Sequence, residues 1–211
     1  MFACGSYDGT LGIYDAMNGK VITCIQASRL GLTQLKFSPD GNRIYCGSRK
    51  EGVLDCWDMR YLTEPVLSVS RSVETNQRIY FDFFTDENKQ QEILLCSGST
   101  DGMMHFWSVN EGAISSCDDH GTSDSTLRVC DSFSHQAHSD CMNGCSAHPT
   151  RPLLLSTSGQ RKFPSFYESD DEEEEVVPEE NKVKLWYIPY VDRKRVAFSA
   201  NDDDHHMKTD T

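Results

Sequence analysis

The stretch Ser97-Gly98-Ser99-Thr100-Asp101-Gly102 decides the fold, because near copies of it recur along the chain. The copies are Cys4-Gly5-Ser6-Tyr7-Asp8-Gly9 and Cys46-Gly47-Ser48-Arg49-Lys50-Glu51-Gly52. Each copy follows a short apolar run and leads into a second run rich in Val, Ile, Leu and aromatic residues, which suit a pleated, half-buried surface. The Asp-Gly or Glu-Gly pair supplies the positive φ that a tight turn between strands requires. Each copy is therefore predicted to be a β-hairpin.

An aromatic residue recurs after each of these turns. A serine ends the second strand of every unit, an aromatic residue follows in the third strand, and the two are separated by 8, 9, 8 and 28 residues. We predict structural roles for these positions in a hydrogen-bonded packing network, and no catalytic role. The serines and their aromatic partners are Ser6 and Tyr14, Ser48 and Trp57, Ser99 and Trp107, and Ser158 and Trp186.

Further strands are expected on both sides of the hairpins. Those before them are Leu32–Phe37, Arg78–Phe83 and Cys141–Ala147, and those after them are Lys20–Ile25, Pro65–Val69, Leu127–Phe133 and Arg195–Ser199. Four strands repeating every 42 to 59 residues is the periodicity of propeller blades. An antiparallel sandwich is the alternative, but it gives no reason for one pattern to recur in step.

The sequence therefore predicts an all-β, WD-repeat β-propeller. About four blades are expected here, of an expected seven-bladed whole, and the first blade lacks its opening strand. Trp57-Asp58 is the one intact Trp-Asp pair, and the Gly-His dipeptide that usually opens a WD repeat is missing. The repeat pattern is thus degenerate.

An acidic segment interrupts the last blade. Residues 168–180 contain nine acidic residues and no basic one, and they account for most of the net charge of −13. Like charges at this density oppose collapse, so the segment is predicted to be disordered. A solubilising loop, a partner site and a competitor for RNA remain open as its roles. The predicted organisation is propeller blades over 1–166, the acidic loop over 167–181, closing strands of the last blade over 182–199 and a polar tail over 200–211.

Several function classes find no support in the sequence. No apolar run reaches the roughly 20 residues of a membrane span, and no signal-peptide pattern is present. The nine cysteines are odd in number and irregularly spaced, which indicates reduced thiols. Neither a phosphate loop nor a nucleophile elbow occurs. We therefore predict a binding scaffold that is not an enzyme and uses no cofactor.

One cluster of metal-ligating residue types needs its own interpretation. His135, His138, Cys141, Cys145 and His148 fall within fourteen residues, and zinc uses such ligands. Their spacing matches no common zinc finger, and two cysteines four apart on a strand face one side as packing residues. We predict no metal site here, with zinc binding as the alternative.

Four strings carry a more particular resemblance. They are Asn76-Gln77-Arg78-Ile79-Tyr80-Phe81-Asp82, Met1-Phe2-Ala3-Cys4-Gly5-Ser6-Tyr7, Pro39-Asp40-Gly41-Asn42-Arg43 and Ser156-Thr157-Ser158-Gly159-Gln160-Arg161. With them the chain resembles the C-terminal part of the telomerase Cajal body protein family, WD-repeat proteins that associate with Cajal-body RNAs. The resemblance covers about residues 1–190 and fails in Ser108–Ser125, in the length of the acidic tract and in the last twenty residues.

The resemblance implies a function. It implies recognition of small Cajal-body RNAs and telomerase RNA, association with the proteins of their ribonucleoproteins, and delivery of these particles to the nuclear Cajal body in support of telomere maintenance. It implies neither DNA nor a membrane as partner. A general WD-repeat scaffold for protein–protein interactions, without RNA specificity, is the alternative.

Propeller geometry turns the strings into a predicted surface. Loops between second and third strands emerge on the same face as the connections between blades, so polar residues in both are expected to lie together. Arg and Lys suit phosphates, and Asn and Gln suit the exposed base edges of single-stranded RNA. The alternative is that these are ordinary solvated loop residues. The candidate RNA-binding residues are Arg49, Lys50, Asn76, Gln77, Arg78, Gln160, Arg161 and Lys162.

Overall fold

The computed structural model describes residues 1–85, 93–109, 132–160, 180–188 and 199–201. These residues form fifteen strands in four antiparallel sheets. In each sheet the strands are neighbours in chain order, as in a propeller blade. No helix in the described part of the chain is long and apolar enough to cross a membrane.

Each sheet is one blade. Blade 1 has three strands, β1 (Phe2–Gly5), β2 (Thr10–Tyr14) and β3 (Val21–Gln26). Blade 2 consists of β4 (Leu32–Phe37), β5 (Arg43–Ser48), β6 (Val53–Asp58) and β7 (Leu67–Ser70). Blade 3 consists of β8 (Phe81–Thr85), β9 (Ile93–Gly98), β10 (Met103–Ser108) and β11 (Ser132–Gln136). Blade 4 consists of β12 (Met142–Ala147), β13 (Leu153–Ser158), β14 (Val183–Tyr187) and β15 (Ser199–Asn201).

A strand lies at each predicted place, but only Leu32–Phe37 keeps its predicted bounds. The ends of three strands, expected at Cys141–Ala147, Lys20–Ile25 and Pro65–Val69, are shifted by one or two residues. Three other strands are shifted further. The strand expected at Arg78–Phe83 begins only at Phe81, because the Tyr80 N–H is already used by the Asn143 carbonyl of the next blade, at 2.8 Å. The strand expected at Leu127–Phe133 is β11, which runs to Gln136, and residues 127–131 lie outside the described residues. The strand expected at Arg195–Ser199 is β15, which runs to Asn201, and 195–198 also lie outside.

The turn chemistry is confirmed in two hairpins and corrected in the third. Gly9 and Gly102 have φ values of 88° and 78°, as the Asp-Gly pairs predict. In the longer turn of blade 2 the positive φ belongs to Lys50, at 50°, and not to Gly52. The Lys50 N–H donates to the Thr75 carbonyl at 3.2 Å, which helps to hold the lysine in a conformation that a side chain rarely adopts.

The apolar core lies between the blades. In blades 2, 3 and 4 the face that carries the tryptophan packs against the preceding blade, so Trp57 packs with Leu11 and Ile13 of blade 1. Trp107 of blade 3 and Trp186 of blade 4 are buried in the same way. A fully buried large apolar side chain stabilises a fold by about 1.5–3 kcal/mol, so these interfaces hold the blades together.

The first strands of blades 2, 3 and 4 are also joined by polar side chains, which we call the first-strand belt. Gln34 accepts from the Phe81 N–H at 3.0 Å and donates to the Phe81 carbonyl at 2.8 Å. Lys36 forms an ion pair with Asp82, whose other carboxylate oxygen accepts from the Ala147 N–H at 3.1 Å. One carboxylate thus connects three blades.

The hydrogen-bonded packing network is present in blade 4, but with a different serine from the one predicted. The Trp186 indole donates to Ser156 Oγ at 2.7 Å, and a second bond of 2.7 Å joins Ser156 Oγ to His138 Nε2. The other ring nitrogen of His138 lies 3.6 Å from Glu180. Ser158 caps the turn instead, accepting from the Lys182 N–H at 3.1 Å. Its position two residues further along the strand puts its hydroxyl beside the turn and away from the indole.

Ser6 and Ser99 have the same turn-capping role. Ser6 Oγ accepts from the Thr10 N–H at 3.2 Å, and Ser99 Oγ donates to the Met103 carbonyl at 2.9 Å. Ser48 is buried at the corresponding strand end. The assignment of these serines to the indole network is therefore wrong for blades 1, 3 and 4, where their hydroxyls bond within the turn.

Blades 2 and 3 vary the network. The strand register places Cys46 of blade 2 and Ser97 of blade 3 at the position that Ser156 has in blade 4. In all three blades the tryptophan pairs with the residue that precedes this position by two. In blade 2 the buried Trp57 indole N–H has no partner among the described residues. In blade 3 Ser97 accepts from Arg71, a buried arginine that also donates to the Ile79 carbonyl at 3.2 Å. Burial lowers the pKa of Arg71 to about 10.

Candidate functional site

The six predicted polar residues that the structure describes lie on one face. This face, which we call the loop face, is formed by the loops between the second and third strands and by the connections between blades. Arg49 donates to the Asn76 carbonyl at 2.9 Å, which ties the β5–β6 loop to the β7–β8 connection. Gln77 donates to the Gly159 carbonyl at 3.3 Å, which places the loop after β13 beside the β7–β8 connection. Gln160 of that loop is exposed. Of the candidate residues, Arg161 and Lys162 lie outside the described residues.

Arg49 is the central cation of the loop face. Its guanidinium carbon lies 5.3 Å from the ring centroid of Tyr7, in the turn of blade 1. Its backbone N–H donates to the Gly31 carbonyl at 2.9 Å. The Arg49 Nε is buried and has no partner in the described part of the chain. One side chain therefore touches the loops of two neighbouring blades and keeps a donor unused.

A second pair of arginine and tyrosine lies at the start of blade 3. The Arg78 guanidinium carbon is 5.3 Å from the Tyr80 ring centroid, and Arg78 Nη1 donates to the Tyr80 hydroxyl at 3.2 Å. Both residues are exposed, as are Asn76 and Lys50 on the same face. The face therefore presents three cations, a free amide and two aromatic rings.

Two acidic groups beside these loops accept hydrogen bonds from neighbouring residues, and a third is exposed. Glu51 accepts from the Ser28 hydroxyl at 2.7 Å, whereas Glu74 is exposed. Glu180 belongs to the segment predicted to be disordered, yet it is buried, and it accepts from the Ser139 N–H at 2.5 Å and the Ser139 hydroxyl at 3.0 Å. It is ordered because it is the acid that faces His138.

Burial and polar neighbours shift the pKa of Glu180 in opposite directions, and the same is true of His138. Burial raises the pKa of Glu180, but the two bonds from Ser139, together with His138 and Lys184, more than offset it, and the pKa lies below its usual value. Burial lowers the pKa of His138, and the neighbouring Glu180 opposes this only in part. The carboxylate is thus charged and the imidazole neutral near pH 7, which suits a structural network.

The cluster of metal-ligating residue types is dispersed into other contacts. His138 faces Ser156, Cys145 Sγ lies 3.9 Å from Cys96 Sγ between blades, and His148 Nδ1 accepts two backbone N–H groups at 3.1 Å. Within the described ranges, no three His, Cys, Asp or Glu side chains are arranged to hold a metal ion.

Sequence reasoning missed two groups of residues. Ser156 and His138 were not recognised as network residues, because the serine that repeats along the sequence is the one at the turn. Tyr7 and Tyr80 were not included among the candidate RNA-binding residues, although each lies in a string that carries the family resemblance. An aromatic residue next to a cationic loop was the available signal.

Comparisons with known proteins agree with this geometry. A family described as "WD domain, G-beta repeat" matches residues 19–58. A chain from a crystal structure of the mitotic checkpoint complex superposes with a TM-score of 0.59 at 17% identity, over 93% of this chain and 49% of that one. A crystal structure of the computationally designed Ika8 protein gives 0.51 at 16% identity, over 88% and 42%. At such identities the two structures show the fold alone.

Closer relatives share much more of the sequence. Telomerase Cajal body protein 1 of Bos taurus is 42% identical over 177 residues, which is 84% of this chain and 30% of that protein. The Homo sapiens protein is 40% identical over 89% of this chain and 33% of its own length. The Drosophila melanogaster homolog is 32% identical over 76% and 26%. The chain therefore spans about a third of the length of these relatives.

The four antiparallel sheets and the WD domain define a WD-repeat β-propeller protein, seen here as a partial propeller. At 40–42% identity over more than four fifths of its residues, the chain is a homologue of telomerase Cajal body protein 1. The family resemblance predicted from the four strings is thereby confirmed.

Proposed function

We propose that this chain is part of an RNA-binding scaffold that recognises small Cajal-body RNAs and telomerase RNA through its loop face. In this proposal it directs their ribonucleoproteins to Cajal bodies in the nucleus and catalyses no reaction. The names of the relatives support the Cajal-body and telomerase connection. The observation that carries the RNA-binding part is the convergence of Arg49, Lys50, Asn76 and Arg78 on one face.

Each group has a distinct task in this proposal. Arg49, Lys50 and Arg78 neutralise phosphates, which gives affinity and a strong dependence on salt. Asn76 offers both a donor and acceptor to base edges, which gives selectivity among sequences. The rigid interblade core holds these groups in place, because the loops that carry them are bonded to each other across blades.

Crosslinking in cells, followed by sequencing of the bound RNA, tests the biological part of the proposal. We expect small Cajal-body RNAs and telomerase RNA to be enriched over matched controls. Absence of that enrichment, with protein partners recovered instead, would favour the general protein–protein scaffold.

A charge-reversal experiment tests the surface. Arg49→Glu combined with Arg161→Glu is expected to weaken binding of telomerase RNA and to make it less dependent on salt. The log–log slope of affinity against salt concentration should fall by about 0.7 for each phosphate that is no longer neutralised. Lys20→Glu is the matched control, since Lys20 is exposed in the β2–β3 loop at the opposite end of blade 1. Equal effects of the two changes at every salt concentration would place the binding surface elsewhere.

A further inference from the structure

We infer that Tyr7 and Tyr80 bind RNA by stacking unpaired nucleobases, so that the loop face takes single-stranded RNA with at least two unstacked bases. This inference rests on the proposed function and deepens it by naming residues and a ligand class. An aromatic ring gains most from a base whose π-face is free, which a base inside a duplex does not offer.

Tyr7 is an exposed ring on a rigid support. It is 80% exposed although Arg49 covers one side of the ring at 5.3 Å. The turn that carries it is fixed by the Gly9 N–H bond to the Ser6 carbonyl, at 3.3 Å, and by the Thr10 N–H bond to Ser6 Oγ, at 3.2 Å. Since the turn is already ordered, little conformational entropy is lost when a base stacks on the uncovered side.

The position of Tyr7 carries no structural task that needs a ring. The corresponding turn position is Thr100 in blade 3 and Arg49 in blade 2, so the turn forms with a small or a cationic residue. Gly31 lets the neighbouring connection approach the Tyr7 backbone, because a Cβ there would lie 2.7 Å from the Tyr7 carbonyl oxygen. The backbone of Tyr7 is thus packed, whereas its ring contacts Arg49 on one side and is otherwise exposed.

The Tyr80 ring faces solvent because side chains alternate between the two faces at the start of a strand. Its N–H donates to the Asn143 carbonyl at 2.8 Å, and its carbonyl accepts from Cys145 Sγ at 3.5 Å. The next residue, Phe81, is 1% exposed and points into the core, so the Tyr80 ring is turned outward and remains 42% exposed. The Arg78 guanidinium lies against this ring as Arg49 does against Tyr7.

The two rings are joined by the cationic residues into one path. Arg49 connects Tyr7 to Asn76 through its contact with the Asn76 carbonyl. From Asn76 the chain reaches Tyr80 in four residues, a span of at most about 14 Å. A strand of RNA on this path meets a ring, a cation, an amide, a second cation and a second ring in turn. That alternation suits bases and phosphates of one extended strand.

Fluorescence anisotropy with the full chain tests the inference on three labelled probes. They are a 20-nucleotide single-stranded RNA of mixed sequence, the same RNA annealed to its complement, and an abasic strand of the same length. Tyr7→Leu and Tyr80→Leu are each expected to weaken binding of the single strand roughly 5- to 100-fold. Neither change should alter binding of the abasic strand, because it offers phosphates and no bases.

Conservative variants and a distant tyrosine separate stacking from damage to the fold. Tyr7→Phe and Tyr80→Trp keep a ring and are expected to keep the affinity of the wild type. Tyr61→Leu is the control, since Tyr61 is 70% exposed in the β6–β7 loop at the opposite end of the blade. Loss of affinity for the abasic strand as well, or loss with Tyr80→Trp, would overturn the stacking inference.

Failure of the inference differs from failure of the proposed function. If Arg49→Glu weakens RNA binding and the two leucine variants do not, the face binds RNA without stacking and this inference is wrong. If the wild type binds neither the three probes nor telomerase RNA, the proposed RNA-binding function itself is wrong.

Discussion

Replacing Ser156 by alanine should destabilise the chain far more than the loss of one hydroxyl suggests. Ser156 is fully buried, and its oxygen is the shared partner of the Trp186 indole and His138 Nε2, both at 2.7 Å. Alanine removes this shared partner from both buried nitrogens, and each buried hydrogen bond lost in this way costs about 1–3 kcal/mol. We therefore expect a loss of about 2–6 kcal/mol in the free energy of unfolding.

Urea denaturation followed by far-UV circular dichroism measures this loss, provided that the m-values of variant and wild type agree. Ser146→Ala, at an exposed position of the same blade, is the matched control and should cost about 0.5 kcal/mol or less. Cys46→Ser is the reciprocal test, since it offers an acceptor to the unpartnered Trp57 indole and should stabilise by about 1 kcal/mol. A Ser156→Ala cost no larger than that of Ser146→Ala would refute the idea that this network secures blade 4.

Three further predictions concern the belt, pH and one turn. Asp82→Ala removes an ion pair and the acceptor of the Ala147 N–H, and should cost about 2–4 kcal/mol in the same urea assay. Burial keeps the pKa of His138 below that of the unfolded chain, so stability is complete above about pH 6.5 and falls as the pH drops from there. Melting temperatures between pH 7.5 and 5.5 should show this slope, and His138→Gln should flatten it. Gly102→Ala should cost about 3 kcal/mol, because its Cβ would meet the His138 carbonyl oxygen at 2.2 Å at a φ of 78°. Gly41→Ala, at a φ of 74° in open space, should cost only about 1–2 kcal/mol when melted in parallel.

The hairpins were predictable because their determinants are local. A turn needs a positive φ and a short polar cap within four residues, and Asp8-Gly9 and Asp101-Gly102 carry both in the sequence. The strand before the blade 2 hairpin was predicted with its observed bounds, Leu32–Phe37, since its apolar pattern ends at a clear turn.

The start of β8 and the network serine were not predictable in this way, because both depend on another blade. Tyr80 is excluded from its own ladder by a bond to Asn143, which lies far along the chain. The register position of Ser156 is occupied by Cys46 in blade 2 and by Ser97 in blade 3, so no single repeated residue type marks it in the sequence. The loops of the candidate surface were predicted from the sequence. Assigning Tyr7 and Tyr80 to this surface required knowing which loops touch.

The first-strand belt sets the order in which the chain should open. In an array where each unit touches only its neighbours, units can open one at a time. Lys36, Asp82 and Ala147 tie blades 2, 3 and 4 together, whereas no described residue of blade 1 belongs to the belt. Amide hydrogens of blade 1 should therefore exchange with solvent through a partial opening, while those of β5, β9 and β13 exchange together at the cost of unfolding three blades.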